Sequence, residues 1–243
     1  DNSMEVPLLP RMIDWTYQIA KIFKIDANAE YAGVIFPVIM FALTILFFFL
    51  FVREIFIKKD KESIIKANII ALISTFLMIV SPAFLSRTVA GIPEKESAGF
   101  FFLFLAFYLF LKAWKSEKIR NSIVFAVLSG LVTAFMGLVW GGVVYIYTTL
   151  ALVGLIAFIL DKIHKKELIV YSLSIFVSLI VSLIFSNRLS ITGFFTSIDT
   201  GLATFVILAS IVNLTIWNTK LSKIKILNES KLPKNIISLI ITL

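Results

Sequence analysis

The chain has 243 residues, of which 59% are hydrophobic and 16% are charged, and its mean hydropathy is +0.98. This balance excludes an ordinary water-soluble globular domain and is typical of an integral membrane protein. There is no cysteine, which excludes disulfides and thiolate chemistry.

The first 30 residues predict a short amphipathic helix lying at the membrane surface. Apolar residues recur there with the three-to-four spacing of one helix face, at Met12, Trp15, Ile19, Ile22 and Phe23. The charges of Asp14, Lys21 and Lys24 interrupt this segment, so it cannot span a bilayer. We therefore predict two units, which are an outer interfacial segment over residues 1–30 and a transmembrane helical bundle over residues 31–243.

Stretches without Asp, Glu, Lys, Arg or His predict the membrane spans, because a bilayer core of ~30 Å needs about 20 mainly apolar residues in a helix. Such stretches cover residues 31–52, 67–86, 121–160, 168–187 and 200–219. The stretch 97–111 is long enough if Lys112 snorkels to the interface, and 121–160 holds two spans joined at Trp140-Gly141-Gly142. We predict an all-α fold, a polytopic bundle of about seven full spans with a truncated eighth from residue 235. Since the chain starts with Asp1 and stops inside that last apolar stretch, we expect it to be part of a longer protein.

The net charge of +8 is concentrated on one side of the predicted bundle. Of the 23 Lys and Arg residues, 17 fall in the loops 53–66, 112–120, 161–167 and 220–234, which makes that side +10 and the other side −2. Cytoplasmic loops of multi-pass proteins carry such a positive excess. We predict these four loops in the cytosol and the remaining loops outside, and because the charge is explained by topology we expect no nucleic-acid partner.

Residues 86–99, SRTVAGIPEKESAG, form the first of the predicted outer loops and carry four charges in ten residues. Glu94 and Glu96 are two apart, so in an extended loop their side chains point the same way and could share a divalent cation. In a helix they would diverge by about 200°. Pro93 fits the first helical position, in which case the two Glu residues would simply lie at the positive N-terminus of the helix. The spacing leaves both interpretations open.

Four motifs within residues 86–147 resemble the catalytic subunit of oligosaccharyltransferase, and are most like its archaeal members. They are SRTVAG at 86–91, Glu94-Lys95-Glu96, an apolar helix that ends in the aromatic and basic stretch 108–115, and the turn Trp140-Gly141-Gly142. Glu94 stands where the family pattern has Asp, and Pro93 and Lys95 are unusual neighbours for it.

The resemblance implies a multi-span, metal-dependent glycosyltransferase of N-linked protein glycosylation, with its active loops on the extracytoplasmic face of an archaeal cell membrane. It implies a lipid-linked oligosaccharide on dolichol phosphate or diphosphate as donor, and as acceptor the Asn of an N-x-[ST] sequon in a protein or peptide. By position, Glu94 and Glu96 are expected to be catalytic and to hold Mn²⁺ or Mg²⁺, while Arg87 and Trp140 are expected to bind substrate. The family's other acidic loops and its sequon-binding domain are not within these 243 residues. The chain alone is therefore expected to be incomplete as an enzyme.

Two other classes of function stay open. One is a non-catalytic membrane scaffold of the same family, which the unusual Pro93 and Lys95 would suit. The other is a lipid or solute transporter, which would require ionisable residues inside the spans. The predicted spans carry essentially none, which argues against a transporter.

Overall fold

The computed structural model describes residues 8–23, 28–185, 192–217 and 232–243, and these residues form helices joined by short turns. Seven of the described helices are long and apolar enough to cross a membrane. The predicted all-α transmembrane bundle with seven spans is therefore confirmed, and the protein is an integral, multi-pass membrane protein. Most of the predicted cytosolic loop at 220–234 lies outside the described residues.

The bounds of the helices follow the chain. The long helices are α2 (Ala29–Phe56), α3 (Lys61–Ile79), α5 (Lys95–Lys115), α6 (Ile119–Val139), α7 (Val144–Ile159), α8 (Lys165–Phe185) and α10 (Ile198–Trp217). The short ones are α1 (Leu8–Ile22), α4 (Pro82–Leu85), α9 (Gly193–Thr196) and α11 (Lys234–Thr242), and a 3₁₀ turn (Gly141–Val143) leads into α7. The nine residues of α11 correspond to the predicted truncated span.

The centre of the bundle is the helix α6, which packs between α5 and α8. Small residues allow this close approach, because a Cβ atom on Gly130 would lie only 2.5 Å from the carbonyl oxygen of Ser174. The buried hydroxyls at these contacts are satisfied by backbone. Ser174 Oγ donates to the Ala126 carbonyl at 3.1 Å, and Ser129 Oγ donates to the Ala106 carbonyl at 3.0 Å. These two buried hydroxyls are therefore paired, as buried polar groups usually are.

We call the end of the bundle that carries the turns 57–60, 116–118 and 160–164 the basic face. At this end, lysine side chains bind carbonyl or carboxylate oxygens at the ends of neighbouring helices. Lys112 Nζ lies 3.0 Å from a carboxylate oxygen of Glu54, whose side chain is only 7% exposed. Lys115 donates to the carbonyls of Glu54 and Ile55 at the end of α2. Lys166 donates to the Trp114 carbonyl at the end of α5, at 2.9 Å. Cations at helix C-termini are favoured by the helix dipole, so these lysines stabilise the alignment of the helix ends along the axis of the bundle.

Candidate functional site

The loop that joins α4 to α5, residues 86–94, is held against α2, and we call it the site loop. Its Gly91 has φ of 89°, a backbone conformation that favours glycine. The Gly91 N–H donates to the Val34 carbonyl of α2 at 3.2 Å. Val34 follows Gly33, whose carbonyl would accept from the N–H of residue 37 in a regular helix, but residue 37 is a proline and has no N–H. The site loop is therefore anchored at the part of α2 that its proline disturbs.

Glu94 ends the site loop and caps α5. Its backbone is extended, with φ −69° and ψ 145°, and its carbonyl accepts hydrogen bonds from the N–H and the hydroxyl of Ser97, at 3.2 and 2.7 Å. Because these bonds close the first turn on Glu94, the helix begins at Lys95. Pro93 therefore lies outside the helix, and the expectation that it fills the first helical position is wrong.

Arg87 and Glu94 form an ion pair that closes the site loop. Arg87 Nη1 donates to Glu94 Oε2 at 3.1 Å, and the side chains are 52% and 29% exposed. The hydrogen bond to Glu94, followed by the negative charges of Glu94 and Glu96, raises the pKa of Arg87. The guanidinium is thus charged at any pH that the protein meets, and it partly neutralises the carboxylate of Glu94.

Glu96 lies in the first turn of α5, where its partly buried side chain is favoured by the helix dipole. Lys95, between the two Glu residues, is exposed to solvent. The acidic helix start is therefore present, whereas a cation shared by Glu94 and Glu96 stays a prediction. Within the described ranges, no three or more His, Asp and Glu side chains gather into a metal-binding group.

Trp140 connects the turn Trp140-Gly141-Gly142 to the start of α5. A Cβ atom on Gly99 of α5 would lie 2.5 Å from Trp140 Cε3, and one on Gly142 would lie 2.4 Å from the same ring. The Phe100 ring also packs edge-on against Trp140, with centroids 5.8 Å apart. The indole is therefore enclosed between the Gly-Gly turn and the first turns of α5. A contact of Trp140 with substrate stays a prediction, but its packing role is defined.

Two features of this region were not predicted from the sequence. The first is the Arg87–Glu94 pair, which depends on the turn at Gly91. The second is an apolar cavity of about 440 Å³ between α1 and α2, lined by residues that include Met12, Trp15 and Ile35. The spacing of apolar residues in α1 predicted a membrane-surface helix, but such spacing gives no information on the helix that α1 packs against.

Comparison with known proteins identifies the family. Residues 7–242 match the sequence profile described as "Oligosaccharyl transferase STT3, N-terminal". The dolichyl-diphosphooligosaccharide–protein glycosyltransferase subunit STT3B of Arabidopsis thaliana is 32% identical over 101 residues, which are 42% of this chain and 13% of that protein. The subunit of the same name from Oryza sativa subsp. japonica is 30% identical over 101 residues, which are 42% of this chain and 14% of that protein.

Solved structures of the Archaeoglobus fulgidus oligosaccharyltransferase have a similar fold. Two of them match with a TM-score of 0.67 and 21% identity, covering 95% of this chain and 28% of the solved one. One holds a tethered acceptor peptide with an NVT sequon, and the other, named AglB, holds an inhibitory peptide and a dolichol-phosphate. A third, with Zn and sulfate, has the same TM-score and identity. The chain thus spans 13–14% of the curated relatives and 28–30% of the solved chains.

Proposed function

The chain belongs to the oligosaccharyl transferase STT3 family, and from this premise we propose that it forms part of the membrane domain of an N-glycosylating enzyme. The intact enzyme transfers an oligosaccharide from dolichol phosphate or diphosphate to the Asn of an N-x-[ST] sequon. The observation that carries the proposal is the meeting of two distant motifs at the start of α5. The Arg87–Glu94 pair lies at its cap, and Trp140 packs on Gly99 one turn further along.

The location of the site loop suits a donor that is anchored in lipid. α5 runs from its cap residue Glu94, at the end of the site loop, to Lys115 at the basic face, so the site loop lies at the opposite end of the bundle from the positively charged loops. By the positive-inside rule this end faces away from the cytosol. The phosphate of a dolichol-linked donor lies at the membrane surface, which is the level of the site loop. We place the protein in an archaeal cell membrane with this loop on the extracytoplasmic side.

Glu94 and Glu96 would hold the metal ion that the family resemblance implies. Their carboxylate oxygens are the hard ligands that Mg²⁺ and Mn²⁺ prefer, and Mg²⁺ is commonly held by one or two carboxylates together with water and substrate phosphates. The two carboxylates therefore fit either ion. When bound, the ion would act as a Lewis acid that offsets negative charge on the leaving phosphate.

Arg87 and Trp140 have separate roles in this proposal. Arg87 donates to Glu94 in the free chain, and the same N–H groups can donate to phosphate oxygens of the donor, which a guanidinium binds well. Trp140 holds the first turns of α5, so that Glu94 and Glu96 stay at a fixed position relative to the donor. The protein groups would thus be positioned before the substrate arrives, as electrostatic stabilisation of a transition state requires.

The test is glycan transfer to a sequon peptide by the intact protein, measured with added Mn²⁺. The double variant Glu94→Gln and Glu96→Gln should lose transfer, because it keeps the shape of both side chains and removes both charges. Glu30→Gln is the matched control, since Glu30 is an exposed acid in the first turn of α2 at the same end of the bundle. Full transfer by the double variant would contradict the proposed role of Glu94 and Glu96 in metal binding.

The scaffold alternative gives a different result in the same preparation. A non-catalytic member of the family would show no transfer in the wild-type protein and no change in donor binding on adding Mn²⁺. An active wild-type protein whose transfer depends on Mn²⁺ excludes it.

A further inference from the structure

The acidic side chains of the basic face are already used in internal contacts. Glu54 pairs with Lys112, Glu62 with Lys66, Glu117 with Lys59 and Glu167 with Lys166. Asp60 accepts from the Ser63 N–H, and Asp161 accepts from Asn235. Among the described residues, the surplus of positive charge on this face therefore remains on other lysines, on Arg53, which donates to Asn68, and on Arg120.

Lys118 and Arg120 are the surplus cations that line a cavity. Both side chains are exposed, and in the described part of the chain neither makes an ion pair or a side-chain hydrogen bond. Together with Asn121, Val124 and Phe125 they line a space of about 430 Å³ at the start of α6. This volume lies within the range of about 300–1,000 Å³ that is usual for ligand sites. The cavity combines two cations, one amide and an apolar floor.

An apolar track continues from this cavity along α6 into the membrane. Arg120, Val124 and Leu128 are spaced four residues apart, which puts them on one face of the helix. The Val124 and Leu128 side chains are 49% and 41% exposed, so the described helices leave this face of α6 uncovered. A ligand with a negative head and an apolar tail would match the cavity and the track together.

We propose that this cavity binds the headgroup of an anionic membrane phospholipid, with a hydrocarbon chain of that lipid lying along Val124 and Leu128. The cytoplasmic leaflet carries the anionic lipids that basic pockets beside transmembrane helices bind, and the basic face is predicted to lie in that leaflet. A free phosphate would use the cations but not the apolar track. The inference is independent of the proposed transferase activity, because the cavity lies at the far end of α5 and α6 from the site loop.

Lipid binding to the protein in neutral detergent tests the proposal. Phosphatidylglycerol or phosphatidylcholine is added, and bound lipids are counted by native mass spectrometry to give dissociation constants. We expect the wild-type protein to bind phosphatidylglycerol at least tenfold more tightly than phosphatidylcholine. Lys118→Gln with Arg120→Gln should weaken phosphatidylglycerol binding about thirtyfold, the equivalent of about 2 kcal/mol at about 1 kcal/mol per basic residue.

Lys162→Gln with Lys165→Gln is the matched control. It removes the same charge from exposed lysines of the basic face that do not line the cavity, and it should change phosphatidylglycerol binding less than threefold. Equal losses in the two double variants would overturn the proposal, because they would indicate general attraction to the basic face. Equal affinity for the two lipids, or displacement of phosphatidylglycerol by an equal concentration of inorganic phosphate, would overturn it as well.

Discussion

Replacing Gly99 with Ala tests whether Trp140 couples the Gly-Gly turn to the start of α5. The new methyl group would lie 2.5 Å from Trp140 Cε3, well inside van der Waals contact. The ring cannot move toward Gly142, because it already packs so closely there that a Cβ atom on Gly142 would lie 2.4 Å from the same indole. Either the ring or the first turn of α5 must therefore move.

The expected magnitude follows from two opposing effects. Overpacking a buried site costs about 1–3 kcal/mol, and here the cost should be near the top of that range because the ring is enclosed on both sides. Ala in place of Gly inside a helix recovers about 1 kcal/mol. The net loss of about 2 kcal/mol should lower the melting temperature in detergent by about 4–8 °C.

Gly33→Ala is the matched control for this experiment. Gly33 lies in α2, and a Cβ atom there would meet nothing within 4 Å, so this variant should melt at or slightly above the wild-type temperature. Adding Trp140→Leu to Gly99→Ala should make the double variant less destabilised than the sum of the two single ones. The coupling would be refuted if Gly99→Ala melted like Gly33→Ala, or if the two changes were additive.

Three further predictions concern charged side chains. Arg87→Gln releases Glu94 from its ion pair, so the intact protein should bind Mn²⁺ more tightly and the donor less tightly. The Mn²⁺ affinity is measured by an electron paramagnetic resonance titration, and an unchanged affinity would contradict competition between Arg87 and the ion for Glu94. Lys112→Met leaves the Glu54 side chain, which is 7% exposed, without its cation, and should lower the free energy of unfolding by about 2–3 kcal/mol, measured by thermal unfolding. Adding Glu54→Gln should restore most of that stability, and a double variant as unstable as Lys112→Met would argue against the pair. The hydrogen bond from Lys59, followed by the positive charge of Lys59, lowers the pKa of Glu117. The pair therefore stabilises the fold at pH values above the ordinary pKa of Glu117, and this stabilisation is lost as the pH falls through the lowered pKa. In an NMR titration, Lys59→Gln should move the pKa of Glu117 back up, and an unmoved pKa would contradict this assignment.

The spans could be predicted from the sequence because each depends on a local property, the length of a stretch without charge. The charge-free stretch 97–111 was predicted to form a span if Lys112 could lie at its end. In the structure α5 does extend past Lys112 to Lys115, and Lys112 pairs with Glu54 at the helix end. The start of α5 was less predictable. Pro93 is compatible with a first helical position, but the bonds from Ser97 to Glu94 make Glu94 the cap, so the helix begins two residues later, at Lys95.

The contacts that build the candidate site could not be predicted, because they join residues whose distance in space depends on packing. Arg87 reaches Glu94 only because Gly91 turns the backbone with positive φ and docks on Val34. Trp140 reaches Gly99 only because α5 and α6 pack side by side, with the end of α6 beside the start of α5. The motifs indicated the candidate residues, while the pairings among them required the fold.

The half-maximal Mn²⁺ concentration for glycan transfer by the intact protein reports most directly whether Glu94 holds the metal ion that we propose. Glu94→Gln should raise that concentration at least tenfold, about 1.4 kcal/mol of lost metal affinity, while Glu30→Gln leaves it at the wild-type value. If Glu94→Gln and Glu30→Gln gave the same half-maximal concentration and the same rate, the site loop would have no part in metal binding.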